Sequence, residues 1–519
     1  NLPPVIPPDF FRIPMLQNRP LLVSTYSPFL NCIIMKHKLS PLVKDYLYIL
    51  KKAAASNNGQ RCMIGPSPGL KDKLKADLNQ LKRDLGSSVL GNLIRPLGKT
   101  KLGFNDGLLQ PGNVFALGTS AQGIRTRSAE RAPLRGDLKV AVILVDFSDK
   151  PMSQTKKRFQ DLFFSQGVIP TGSVKEYYTE VTGGLVNITG QVAGPYRMPK
   201  KLSQYAHGDS GTGNASPNAR TLAEDAAKAA NAYVDFSTYD NNNDGYVDAF
   251  VVIHAGPGAE VTGSRNDIWS HKWVLPKVYN ADGTHIYAYL TVPEDCELGV
   301  CAHELGHLLF GFPDLYDVDY TSEGIGNWCL MSGGSWNNDG ATPAHPCAWC
   351  KMQQNWVTTV NQSNNKANVV IDGVQAGKTI YRLWKDGGPG NEYFLVENRT
   401  QKNYDKFLPG EGLLVYHIDD AIDDNSNELH YKVALVQADG RQDLEKGKNS
   451  GDAGDVWPGT SKRKTFSRTT KPNSKSYGGL DTRVALRKIK FAKGKVTADI
   501  YVKKGAATVP GKKNSAKKK

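Results

Sequence analysis

The sequence predicts an α+β protein: a domain of mixed sheet and helices over residues 136–362, followed by an antiparallel β-sandwich over residues 363–505. Three observations predict it. Apolar strand-like runs alternate with amphipathic helical runs up to about residue 360, which is the pattern of packed sheet and helix layers. From residue 366 onward only short alternating strands appear, separated by Gly, Pro and Asp turns. A chain of 519 residues is also longer than one hydrophobic core usually supports.

Residues 1–135 read as an irregular and partly helical accessory or pro-segment. "LVKDYLYILKKAAA" has the spacing of a short helix. "PGLKDKLKADLNQLKRDLG" places Leu70, Leu74, Leu78, Leu81 and Leu85 three and four residues apart, with Gly86 to end the helix. The stretch up to Arg135 stays basic and polar, and "AQGIRTRSAERAPLRG" reads as exposed. The texture changes at "LKVAVILVDFSD" (138–149), a continuous apolar run typical of a strand covered on both faces. Ser173 and Glu176 form a capping box for a helix that stops at Gly183–Gly184. "LVNITGQVAGPY" is the next strand, "PNARTLAEDAAKAANAYV" a second helix and "AFVVIHAG" (249–256) another buried strand. The closing strands are "ANVVIDGV", "TIYRLW", "EYFLVENRT", "GLLVYHID", "YKVALVQAD", "RVALRKIKF" and "VTADIYVKK".

Composition excludes several classes. The net charge is +15, but five lysines crowd the last eight residues, so 506–519 reads as a solvated basic tail. No nucleic-acid-binding motif is present, and no apolar run is long enough for a membrane span. Seven cysteines are too few for a disulfide scaffold. Five of them lie between Cys296 and Cys350, where buried thiols or local bridges are the plain expectation. The chain opens on Asn1 without the charged and apolar regions of a signal peptide.

The chemistry concentrates in "CAHELGHLLFGFPDLYD" (301–317). In a helix, His303 and His307 lie four apart on one face and can aim two imidazoles at one metal ion, most naturally zinc. Glu304 projects to the neighbouring face, where it can work on a water rather than on the metal. A bare HExxH is a weak signal. Its context strengthens it: Gly306 permits close approach of a neighbouring chain, Gly311 is placed to end the helix in the left-handed conformation, and Asp314 is the first side chain after the turn able to ligate.

"HELGHLLFGFPDLYD" resembles the immune inhibitor A family of secreted zinc metallopeptidases, which is related to the metzincins and uses HExxHxxGxxD. "DNNNDGYVDAFVVIHAG", "NDIWSHKWVL", "GNWCLMSGGSW", "EYFLVENR" and "LPGEGLLVYHID" share that family's texture, so the resemblance covers about residues 136–500. It implies a zincin-type catalytic domain and an extracellular endopeptidase acting on protein or peptide substrates. His303, His307 and Asp314 would hold zinc, Glu304 would be the general base, and Met331 would lie in a Met-turn beneath the metal. Gly311 and Asp314 each fall one residue later than in the family pattern. Asp317 is therefore the reserve third ligand, and Met331 can equally be an ordinary core residue. A monomer is expected. The alternative reading is a non-catalytic adhesion or carbohydrate-binding protein with a vestigial metal site.

"DNNNDGYVD" carries a second metal-like signal. Asp240, Asn242 and Asp244 alternate, Gly245 supplies a turn, Tyr246 offers a carbonyl and Asp248 closes the loop, a set of oxygen donors suited to structural calcium. A polar turn between helix and strand is the plain alternative. His271, His345 and Tyr316 are candidates for stabilising an oxyanion, and the Cys62 thiol could cap the zinc.

Overall fold

The structure, a computed structural model, describes residues 39–56, 61–86 and 133–505. The expected basic tail and the polar stretch from residue 87 to 132 lie outside the described residues.

Helix α1 (Pro41–Ser56), strand β1 (Cys62–Met63) and helix α2 (Pro68–Leu85) precede the main sheet. Ser67 caps α2 by accepting the Leu70 amide at 3.2 Å, and Leu70, Leu74 and Leu81 are buried, as their spacing predicts. β2 (Gly136–Asp146) is solidly apolar because both of its faces are covered; Val140 to Val145 are fully buried. α3 (Lys156–Phe164) follows, and α4 (Val174–Val181) carries the expected reciprocal Ser173–Glu176 capping box. β3 (Val186–Arg197) and α5 (Ala219–Ala230) lead to β4 (Phe250–His254), whose five residues are all buried.

Next come β5 (His271–Ala281) and β6 (Thr284–Pro293), a hairpin that the sequence reading passed over. Its signal was present. Asp282 and Gly283 both take positive φ (52° and 79°), the two-residue turn that an Asp-Gly pair favours between right-twisted strands. Together these strands form one mixed six-stranded sheet in the order β1–β5–β6–β4–β2–β3. β2 pairs parallel with β3 and β4, and β4 pairs parallel with β6. β5 runs antiparallel to β6, and β1 extends the sheet antiparallel beyond β5.

Helix α6 (Leu298–Phe310) packs against this sheet, and every one of its residues is buried. A helix that is apolar nearly all round must be covered all round. Gly311 ends it at φ 66°, and the Gly311 amide returns to the His307 carbonyl at 3.0 Å.

After α7 (Ala348–Gln353) the chain is strands with short helical turns: β7 (Thr358–Asn361), β8 (Lys366–Asp372), β9 (Thr379–Leu383), β10 (Glu392–Arg399), β11 (Gly412–Asp419), β12 (Val433–Leu435), β13 (Ala485–Ala492) and β14 (Lys495–Tyr501). A five-stranded sheet, β12–β11–β10–β9–β7, and a three-stranded sheet, β13–β14–β8, share one apolar core that includes Ile371, Phe394, Val415, Trp457, Leu486 and Ile500. The pairing departs from all-antiparallel at one edge, where β7 and β9 run parallel. The intervening strand β8 belongs to the other sheet, so the chain returns to the first sheet in its original direction.

A buried charge network joins β10 to the loops beside α6. The Arg399 guanidinium donates to Asp405 (2.7 Å), Glu397 (3.1 Å) and the Trp328 carbonyl (3.2 Å), and the Asp405 carboxylate also accepts the His345 amide at 3.0 Å. Arg399, Glu397 and Asp405 have no exposed surface. Burial alone would raise the Asp405 carboxyl, but Arg399, His345 and Lys351 outweigh it and hold Asp405 well below the usual carboxylate range. Removing one partner strands a buried charge, so Arg399→Ala should cost about 3–5 kcal/mol in urea unfolding at neutral pH. A depressed folded-state pKa stabilises above the unfolded value of about 3.9, and that contribution is lost as pH falls below it. Acid unfolding of Asp405→Asn should therefore show a shallower loss of stability below that pH than the parent chain, and an identical slope would assign the acid sensitivity elsewhere.

Candidate metal centre

Three segments build the centre. α6 supplies His303 and His307, whose Nε2 atoms stand 3.0 Å apart, and the turn after it brings Asp314 Oδ1 to 3.2 Å from each. All three residues are buried. The other nitrogen of each ring is anchored to backbone: His303 Nδ1 lies 2.9 Å from the Leu330 carbonyl, and His307 Nδ1 meets the Phe312 carbonyl. A carbonyl only accepts, so each Nδ1 must carry the proton and donate it. Both Nε2 atoms are then bare lone pairs, and two lone pairs and a carboxylate oxygen cannot satisfy one another. A cation satisfies all three. Tetrahedral zinc with bonds near 2.0–2.1 Å would set such donors about 3.3 Å apart, close to the spacing seen, and carbonyl-anchored imidazoles are the usual outer support of such ligands. The residues present fit a zinc ion.

The residue inserted after His307 is absorbed by α6 itself, which runs on to Phe310 before Gly311 breaks it. Asp317, the reserve ligand, faces elsewhere. Its carboxylate accepts the hydroxyls of Thr321 (3.0 Å) and Ser322 (2.7 Å).

Glu304 is fully buried; neither carboxylate oxygen makes a well-formed hydrogen bond among the described residues, although the Ile64 and Lys272 amides lie close enough to pull its pKa down. Burial, then the nearby carboxyls of Asp314 and Glu260, push its carboxyl well above the usual range. Met331 lies directly beneath α6. A Cβ on Gly306 would fall 2.8 Å from the Met331 sulfur, so the glycine is what allows this approach. The Met331 carbonyl accepts the Leu315 amide at 2.7 Å, which ties the turn carrying Asp314 to the loop carrying Leu330.

Of the other sequence candidates, Cys62 lies near the centre, its sulfur within 4.8 Å of a His307 nitrogen and an Asp314 oxygen, as does Tyr316; the rest scatter. His271 is buried between the Trp269 carbonyl (2.6 Å) and the Tyr289 hydroxyl (2.9 Å), and burial lowers its pKa to about 3. His345 pairs with Glu180 at 2.9 Å. The Tyr316 hydroxyl donates to the Met63 carbonyl, beside the centre. In the loop from Asp240 to Asp248 the oxygens cap backbone amides: Asp240 accepts the amides of Asp244 (3.0 Å) and Gly245 (2.8 Å), Asp244 accepts that of Tyr246 (3.0 Å), and Asp248 accepts that of Asn241 (2.6 Å). Asn242 joins in through the Asp244 amide at 3.2 Å. Among the described residues this loop is not one of the places where three acidic, histidine or cysteine side chains converge. What the sequence reading missed at the centre is the anchoring by the Leu330 and Phe312 carbonyls, and no side-chain pattern announces a backbone group.

Residues 129–363 match the model of the immune inhibitor A peptidase M6 catalytic domain. This segment is similar to that family's catalytic domain. Among curated proteins the chain is similar to the pre-pro-metalloprotease PrtV of Vibrio cholerae serotype O1, 32% identical over 335 residues, which is 53% of this chain and 36% of that protein. It is equally similar to immune inhibitor A of Bacillus thuringiensis subsp. alesti, 32% identical over 278 residues, 42% of this chain and 40% of that one. The chain thus spans well under half the length of the curated relatives it matches. The matched segment includes His303, Glu304, His307, Asp314 and Met331.

If Asp314 completes the donor set, Asp314→Ala should weaken zinc binding by at least about tenfold in a competition titration. Asp317→Asn should leave zinc binding unchanged, because that carboxylate is committed to Thr321 and Ser322. The reverse pattern would move the third ligand to Asp317.

Proposed function

We propose that the chain is a zinc-dependent endopeptidase that hydrolyses peptide bonds of protein substrates. His303, His307 and Asp314 hold the zinc, and Glu304 is the general base. The observation that carries this reading is the convergence of two bare imidazole lone pairs and a carboxylate on one point, with the buried Glu304 carboxylate alongside. Bound zinc supplies Lewis acidity to a carbonyl and makes a water acidic enough to react near neutral pH. Glu304 takes the proton of the attacking water and passes it to the leaving amine. Its dry setting keeps its proton affinity high enough for both transfers. The Tyr316 hydroxyl already donates to a backbone carbonyl beside the centre and is the donor best placed for the developing oxyanion. An extended substrate pairs with the outer edge of β5, the edge that β1 occupies here.

The same reading makes the six-stranded sheet and α6 a zincin-type catalytic domain with a β-sandwich appended, and Met331 its Met-turn residue. Among the described residues no helix is long and apolar enough to cross a membrane, and the family resemblance puts the proteolysis outside the cell. A vestigial centre on an adhesion module is disfavoured because it has no need of a buried glutamate beside it.

Glu304→Gln should lower kcat on an unfolded protein substrate by about 10²–10⁴-fold while leaving zinc stoichiometry unchanged, and a zinc chelator should abolish hydrolysis by the parent chain. Equal rates for the parent, the variant and the chelated chain would end the peptidase reading. For the Asp240–Asp248 loop we propose structural calcium, on the alternation of its oxygen donors. Calcium should raise the melting temperature of the parent chain and have no effect on Asp244→Ala. A parent Tm indifferent to calcium would leave the loop a polar turn.

A further inference from the structure

Cys347 and Cys350 form a CxxC that has no part in the histidine centre. We propose that these two thiols and Cys329 make a second metal site, a three-thiolate cup for copper(I). The three sulfurs lie within 4.8 Å of one another, and none of the three residues has exposed surface. The Cys347 and Cys350 sulfurs stand 3.8 Å apart. Metal–sulfur bonds near 2.3 Å set sulfurs about 3.8–4.0 Å apart on one ion, in tetrahedral or planar geometry alike. A disulfide needs about 2.0 Å, and pairing any two of these cysteines would leave the third over. A CxxC alone supplies half of the usual two-pair zinc set. Here folding brings in Cys329 instead, from the loop before Met331.

Three soft donors and no more select the ion. Among the described residues no histidine, carboxylate or further cysteine joins the three sulfurs. Structural zinc takes four such ligands; copper(I) favours soft thiolates and is satisfied by three. The Cys329 sulfur is surrounded as an ionised ligand would be. It accepts the Cys347 amide at 3.2 Å and the Met331 amide at 3.4 Å. Amides aimed at a ligand from behind fix its direction, the part that outer groups play at metal sites. Burial would raise the Cys329 thiol, but hydrogen bonds from the Cys347 and Cys350 thiols and from these two amides hold it well below the usual thiol range. Three thiolates around copper(I) leave net negative charge, and the buried Lys351 ammonium acts on Cys347 to offset part of it.

Binding exchanges protons, not electrons. Cys329 enters as a thiolate, Cys347 and Cys350 each release a proton to solvent, and three sulfur–copper bonds form with the oxidation state of copper unchanged. The ion staples the start of α7 to the loop that orients the histidines. Cys329 directly precedes Leu330, whose carbonyl lies 2.9 Å from His303 Nδ1.

The test titrates the zinc-loaded full chain with copper(I), free of oxygen, against a competing chelator. The parent should take up one equivalent. Cys329→Ser and Cys350→Ser should each weaken that uptake by about tenfold or more, at least what loss of an outer-shell group costs, and Cys296→Ser should leave it unchanged. Copper(I) should also raise the Tm of the parent and not that of Cys329→Ser. No uptake by the parent, or equal uptake by the parent and both variants, would overturn the proposal. So would a disulfide mapped between any two of the three cysteines in the untreated full chain. Should the variants not fold, X-ray absorption at the copper edge of the loaded parent decides: a shell of sulfur alone is expected, and a shell of nitrogen or oxygen would overturn the proposal.

Discussion

Everything at the centre depends on where two imidazole protons are held. The Leu330 and Phe312 carbonyls each take an Nδ1–H, which turns both Nε2 lone pairs inward against the Asp314 carboxylate. Were either ring flipped or its tautomer exchanged, an N–H would point into the cluster and hydrogen bonding, not metal binding, would satisfy it. The two carbonyls come from different segments, one closing the turn after α6 and the other leading into Met331. The Leu315–Met331 hydrogen bond keeps those segments in register, and Gly306 lets the Met331 sulfur come up beneath the helix.

The C-terminal sheets bear on the same loop. Arg399, at the end of β10, donates to the Trp328 and His345 carbonyls, which flank the loop around Met331. Its charge is balanced by Glu397 and Asp405 in a region without solvent. A buried ionic network is a poor source of net stability but demands one geometry, because every departure leaves a charge unpaired. Arg399 thus ties the C-terminal sheets to the loop around Met331.

The segment ahead of the catalytic domain sits at the opposite wall. It reaches the edge of the main sheet through only two ladder residues, and aromatic donors from the catalytic domain complete its hold. Such an edge invites pairing by any extended chain. Having it covered by the protein's own segment protects the edge from such pairing.

Much of this was legible in the sequence. Continuous apolar runs marked β2 and β4, the Ser173–Glu176 box marked the start of α4, and HExxH with Gly311 marked both the metal-facing helix and its end, since these are local properties of backbone and side-chain periodicity. The β5–β6 hairpin was legible too, through Asp282–Gly283, and was passed over. Tertiary structure alone could decide the rest. Whether Asp314 or Asp317 turns to the imidazoles depends on how the chain leaves Gly311, and only folding brings Asp314 to His307 and frees Thr321 and Ser322 to engage Asp317. Nor can any local pattern bring Cys62 beside residues some 250 positions later. Local chemistry fixes which side chains can ligate; long-range packing chooses which of them meet.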